Sequence, residues 1–235
     1  VLHEMKALGA PVQLDGKALS DTDIDALTMD EARTVNIATR GQYSPEEIRQ
    51  LYKEKITISD QMWKAINQDF KMGDPMKAGT ADFEIHGLDP QTLAQAMSPA
   101  AATQDTAITT FSTNPEHFIM QSHGKGLRVM ETFGMYGEPT DMIVNIVKEG
   151  ELAIDMPIPR DPEYLMASIG NPVLVTDNTP INNIPFHQFK PLADGIKVKS
   201  AIFVPMVAPD EIVSGHEWHL VTEFWEQMHL LEKKD

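Results

Sequence analysis

Two pairs of residues in this chain have the chemistry of a metal site. His219 and Glu223, in the run HLVTE, stand at i and i+4. On an α-helix that spacing brings an imidazole nitrogen and a carboxylate oxygen to one point beside the axis. Both atoms are good ligands for zinc and for other divalent ions of N/O preference. The second pair, His117 and Glu131, flanks the glycine-rich run Ser122-His123-Gly124-Lys125-Gly126. A hairpin centred on Gly124 sets Gln121 opposite Leu127, Ile119 opposite Val129 and His117 opposite Glu131. Opposed residues share a sheet face with Cβ atoms about 5 Å apart. Apolar Ile119, Leu127 and Val129 mark that face as the inner one. The pairing depends on register, because a slip of one residue turns a strand's side chains to the other face. If the two pairs meet, two His and two Glu form a set suited to Zn2+ or another divalent metal. The alternative for each pair is a buried His–Glu hydrogen bond with no ion.

Other titratable residues rank lower. His216 shares the helix face of His219 and is the candidate acid/base. His187 points into a cavity only if its strand has the right register. His123 falls in the hairpin turn and is expected in solvent, and His3, His86 and His229 have no partner visible in the sequence. Arg128 and Arg160 suit an anion, though surface roles fit them better.

Composition narrows the function classes. The 235 residues include no cysteine, which excludes disulfides and thiolate metal sites. A formal charge of −16 argues against a nucleic-acid partner and against an anionic membrane surface. No apolar run is long enough to span a bilayer, and no signal peptide opens the sequence. These features predict a soluble, cytoplasmic protein acting on a small molecule.

The elements that must position the candidate residues come next. Residues 1–75 read as an N-terminal helical extension. Ser20 caps one short helix, residues 29–38 form another, and Ser44-Pro45-Glu46-Glu47 is a capping box with proline in the first turn. A helix over residues 60–70 ends at Gly73-Asp74-Pro75. Residues 76–235 read as one domain. It opens with a strand over TADFEIH and a short helix capped by Asp89. Strands follow over residues 118–121, 127–133, 142–147, 152–156, 172–176, 184–189 and 196–207. A long helix then runs from Pro209. Its second apolar face, Trp218, Val221, Trp225 and Met228, is expected to be covered by the N-terminal helices or by a second copy in a homodimer. This order describes an α+β, helix-grip (Bet v1-like) fold: an antiparallel sheet wrapped around a closing helix, with a cavity between them.

At HLVTEF, with NPEHF and VMETF upstream, the chain resembles the diacetylphloroglucinol and phloretin hydrolases. That resemblance implies a helix-grip fold with zinc held by two His and two Glu, and hydrolysis of the bond between an aryl ring and an acyl carbon. His219 and Glu223 match the family's helical pair, and His117 and Glu131 match its sheet pair by role. Tyr136, Tyr164 and Asn145 are the candidates for the family's substrate-orienting tyrosines and asparagine. The expectation is a metal-dependent hydrolase that cleaves a carbon–carbon bond of an acyl-phenol or related diketone in the retro-Claisen sense, with His216 supplying a proton. A binding protein of the same fold, holding an apolar ligand without chemistry, is one alternative. A metal-dependent lyase or isomerase acting on a polyketide-like substrate is another.

Overall fold

The computed structural model describes residues 1–87, 114–134, 136–152 and 154–232, with side chains as far as Glu226. The short helix expected after Asp89 lies outside the described residues, as do the side chains of Met228 and His229.

Five helices occupy the N-terminal part: α1 (Leu2–Ala7), α2 (Asp21–Asp25), α3 (Met29–Arg40), α4 (Pro45–Leu51) and α5 (Lys53–Asn67). A small ladder of β1 (Gln13–Leu14) and β2 (Lys17–Ala18) sits between the first two. Capping boxes start α2, α3 and α4: Ser20 with Asp23, Thr28 with Glu31, and Ser44 with Glu47. Each box satisfies backbone N–H groups that the first helical turn leaves free.

Beyond α5, the described residues form a seven-stranded antiparallel sheet and one long helix. The strands are β3 (Met76–His86), β4 (His117–His123), β5 (Gly126–Phe133), β6 (Tyr136–Val147), β7 (Met166–Leu174), β8 (Ile184–Leu192) and β9 (Gly195–Pro205). Their order across the sheet is β3-β9-β8-β7-β6-β5-β4. The helix, α6 (Asp210–Glu232), packs across one face, as in a helix-grip fold. Period-2 alternation divides each strand between that inner face and an outer one. Val129, Met142, Ile202, Ile212 and Leu220 meet inside. Outside, Phe118, Ile119 and Met130 are covered by Met5, Ile48, Tyr52 and Ile56 of the N-terminal helices. Helix α5 serves both layers, giving Ile56 to the outer cluster and Trp63 and Ile66 to the inner one.

Two expectations about strands are corrected. The described residues of the 152–156 segment form no strand; β6 pairs instead with β7, with Val147 opposite Ile169. Leu152, Ile154, Met156 and Ile158 pack on the outer cluster of Phe186 and Phe203, so the apolar residues that suggested a strand cover the sheet instead. The β4–β5 hairpin is also not centred on Gly124. His123 pairs with Gly126, Gln121 with Arg128 and Ile119 with Met130, and a bulge at Phe118 then restores His117 opposite Glu131. Ile119 consequently faces outward, while Met120 faces the cavity.

The N-terminal helices do not cover the second face of α6, which leaves cover by a second copy as the expectation. Trp218 is 77% exposed, Val221 38% and Trp225 50%. With Met29 and Arg33 of α3 they line a groove of about 780 Å³ instead of being covered by the N-terminal helices.

Helix and sheet touch most closely at two glycines. Gly134, in the β5–β6 turn at φ +68°, lies against Gly215 of α6, and a Cβ built on either would overlap the other's Cα. Only glycine permits this approach and this backbone conformation together.

Candidate metal centre

His117 enters the inner face from the start of β4, Glu131 from β5 directly opposite, and His219 from α6, one turn beyond Gly215. One ligand atom from each of the three lies within 4.8 Å of the others, with both histidines buried. His117 Nε2 is 3.0 Å from Glu131 Oε2 and 3.1 Å from His219 Nε2. His219 Nε2 is 3.5 Å from Glu131 Oε2 and 3.9 Å from Glu223 Oε2. A tetrahedron with bonds of about 2.0–2.1 Å has edges of about 3.3 Å. The separations among His117, Glu131 and His219, 3.0, 3.1 and 3.5 Å, lie near that edge, so these three donors suit one face of a tetrahedral site in both chemistry and spacing. Glu223 stands at the margin of the group, one helical turn from His219 as its spacing predicts.

Electrostatics at the site are dominated by Glu131. Burial alone would raise its carboxyl, yet hydrogen bonds from His117 and His219, and their charge, hold it well below the usual carboxylate range. Glu131 is therefore a buried anion stabilised by the two histidines beside it. Burial opposes protonation of His219, but hydrogen bonds to Glu116 and Glu131 and the charges of Glu131 and Glu223 push it up to about 10. His219 Nδ1 lies 2.5 Å from Glu116 Oε2, a contact that sequence reasoning missed. The adjacency of Glu116 to His117 was the signal, but strict strand alternation would turn neighbouring side chains to opposite faces. Glu116 precedes β4 and escapes that alternation.

The three residues sit in the wall of a cavity of about 200 Å³. Aliphatic side chains such as Met120, Leu127, Val144 and Leu220 form much of the remaining wall, beside Phe224. Polar groups join them, among them Glu223, His216, Asn183 and His187. His216 stacks on Phe133 at 4.7 Å and has Nδ1 2.9 Å from the Ile212 carbonyl. Its Nδ1–H donates there, which leaves Nε2 as the lone pair. Burial, then the charge of His219, pushes His216 down to about 4, so it is neutral at neutral pH. Asn183 is buried, with Nδ2 3.5 Å from His216 Nε2, while its Oδ1 has no hydrogen-bond partner among the described residues. His187 lines the cavity with Nδ1 2.5 Å from Ser200 Oγ, and burial lowers its pKa.

The candidate orienting residues lie elsewhere. Asn145 is exposed and donates to the Asn171 carbonyl. Tyr164 is buried beneath the Lys199 ammonium. Tyr136 packs at the edge of the inner cluster, and none of these three lines the cavity. Arg128 pairs with buried Asp141, Arg160 donates to the Tyr164 carbonyl, and His123 is exposed at the end of β4. His86 pairs with Asp194, and His3 with Asp25, on the surface.

No protein-family model matches the chain, and no curated protein is significantly similar to it. Among solved structures, it is similar to a conserved protein from Geobacillus kaustophilus. The identity there is 11% and the TM-score 0.40, over 67% of this chain and 96% of the other. Among the described residues, no helix is long and apolar enough to cross a membrane.

Proposed function

We propose that the chain is a metal-dependent hydrolase that cleaves the bond between an aryl ring and an acyl carbon of a small acyl-phenol. The observation that carries this reading is the convergence of His117, Glu131 and His219 at the wall of an apolar cavity. Bound among these residues and Glu223, a divalent ion would supply Lewis acidity toward a carbonyl oxygen and make water a better nucleophile at neutral pH. The protein's own groups do the rest. The aliphatic wall receives the ring and excludes bulk water. Asn183 Oδ1, buried and unpaired among the described residues, accepts a hydrogen bond from a ligand hydroxyl. The Nε2 lone pair of His216 accepts a proton; with so low a pKa, His216 takes up a proton before it can supply one. The net reaction adds water across the bond. Hydroxyl joins the acyl carbon to give a carboxylic acid, and hydrogen joins the ring carbon to give the arene.

Size narrows the substrate. A cavity of about 150 Å³ holds benzene, so a volume of about 200 Å³ takes one substituted ring with a short acyl chain. The test combines elemental analysis of the purified chain with incubation of a monocyclic acetyl-phenol. Stoichiometric zinc or a similar ion, with release of acetate and the free phenol, is expected. Metal-free protein that cannot be loaded sinks the reading. Loaded protein that binds the ketone without turnover favours the alternative of a ligand-binding protein, which the predominantly apolar wall also suits.

A further inference from the structure

We infer that Glu116 is a positioning residue for the metal site, holding the His219 ring so that Nε2 presents its lone pair toward His117 and Glu131. The inference rests on the metal-binding reading above and extends it to a residue outside the ligand set. A neutral imidazole carries one N–H, and the partner of that N–H decides which nitrogen is free to bind a metal. An ionised carboxylate can only accept. When an ion takes the place of the Nε2 proton, Glu116 Oε2, 2.5 Å from His219 Nδ1, keeps the remaining proton on Nδ1.

Glu116 is itself fixed from several directions. The same Oε2 accepts the Gly134 N–H at 3.0 Å, at the point where sheet and helix are closest. The Glu116 N–H donates to Asn114 Oδ1 at 2.9 Å, and Asn114 Nδ2 donates to the His219 carbonyl at 3.2 Å. Residues 114–116 thus hold His219 by its ring and by its backbone. On either side of Glu116, the Arg40 guanidinium donates to the carbonyls of Pro115 and His117. A cation from the N-terminal helices braces the segment that orients a ligand on the closing helix. A carboxylate free to swing would select neither tautomer nor ring angle; this one is held at its side chain and through its backbone.

The test uses the full chain stripped with a chelator. Zinc affinity is measured by competition with a chromophoric chelator, and histidine ring protons are followed by 15N–1H spectra of the zinc-loaded protein. Glu116→Gln keeps the shape but loses the charge, and should weaken zinc binding by about 10–100-fold. Its His219 Nδ1–H resonance should shift or broaden, with the circular dichroism unchanged. Glu116→Asp, which withdraws the carboxylate from the ring, carries the same expectation and serves if Glu116→Gln does not fold. A variant that binds zinc as tightly as the parent and keeps the His219 resonance overturns the inference, even if its melting temperature falls. A parent chain that binds no divalent ion overturns the metal reading itself, and the two failures are thereby distinguished.

Discussion

His117 and Glu131 stand opposite each other because β4 carries one extra residue, Phe118, in their path. A bulge of this kind re-aims the side chains on either side of it. It is held from outside the sheet: Tyr52 meets the Phe118 ring edge-on at 4.8 Å, and Arg40 lies 4.5 Å over its face. The N-terminal helices therefore reach the site through one aromatic ring, and Glu131 is the carboxylate that the arrangement delivers. Glu131→Gln should lower zinc affinity by more than about 100-fold, beyond the usual effect of a supporting residue. Glu223→Gln, at the margin of the group, should lower it less. Competition titrations of the two variants check the order, and an equal or reversed order would move the centre toward the helix.

Arg40 itself gives a second prediction. It is fully buried, and burial lowers its pKa to about 10, so it remains charged at neutral pH. Arg40→Met fills similar space but leaves the Pro115 and His117 carbonyls without their donor. The expected loss is about 3 kcal/mol of unfolding free energy, typical of breaking a buried charged contact. Urea denaturation measures it, and a loss under about 1 kcal/mol would show that water replaces the guanidinium at little cost.

The paired histidines and carboxylates were legible in the sequence because helical and strand periods are regular. The i, i+4 spacing placed His219 and Glu223 together, and the hairpin suggested His117 with Glu131. The ladder between them was not legible. The turn is one residue out of phase with a Gly124 centre, and the Phe118 bulge compensates for it; neither leaves a mark that alternation detects. The cover of residues 152–158 was misread for a related reason, since an apolar segment lying on a sheet carries the composition of a strand within it. What covers Trp218 and Trp225 was not legible, because an apolar helical face does not say which surface meets it. Glu116 and Asn183 were missed because their roles come from tertiary contacts at positions outside any periodic pattern.

His216 gives a pH dependence. Its folded pKa, about 4, lies below the ordinary value of 6.5. Below pH 6.5 the unfolded chain takes up a proton that the folded chain refuses. The stabilisation from this residue is complete above about pH 6.5 and is lost as pH falls toward 4. A difference of this size corresponds to about 3 kcal/mol at most. Chelator-treated parent and His216→Gln chains, unfolded in urea across that range, should differ in slope, with the parent losing more stability. Parallel profiles would place the imidazole in contact with water.

Gly215→Ala tests the closest approach. The added methyl group overlaps Gly134, so α6 must lift or the β5–β6 turn must shift. Overpacking of this kind costs about 1–3 kcal/mol. It should also weaken zinc binding, because His219 lies one turn along the displaced helix. Metal affinity unchanged alongside a lowered melting temperature would show that the turn yields and the helix does not.

The contact of Gly134 with Gly215 also lies outside the cavity wall, so the anchor and the wall can change separately. It pins α6 to the sheet beside the candidate ligands, so the helix has a fixed end there. Leu220 and Phe224 line the same cavity without belonging to that anchor. Shortening either side chain would enlarge the chamber without moving the pinned end. Under the proposed function, the size of the molecule admitted could then drift while the candidate ligands keep their geometry. A small library at residues 220 and 224 would be the place to seek altered selectivity.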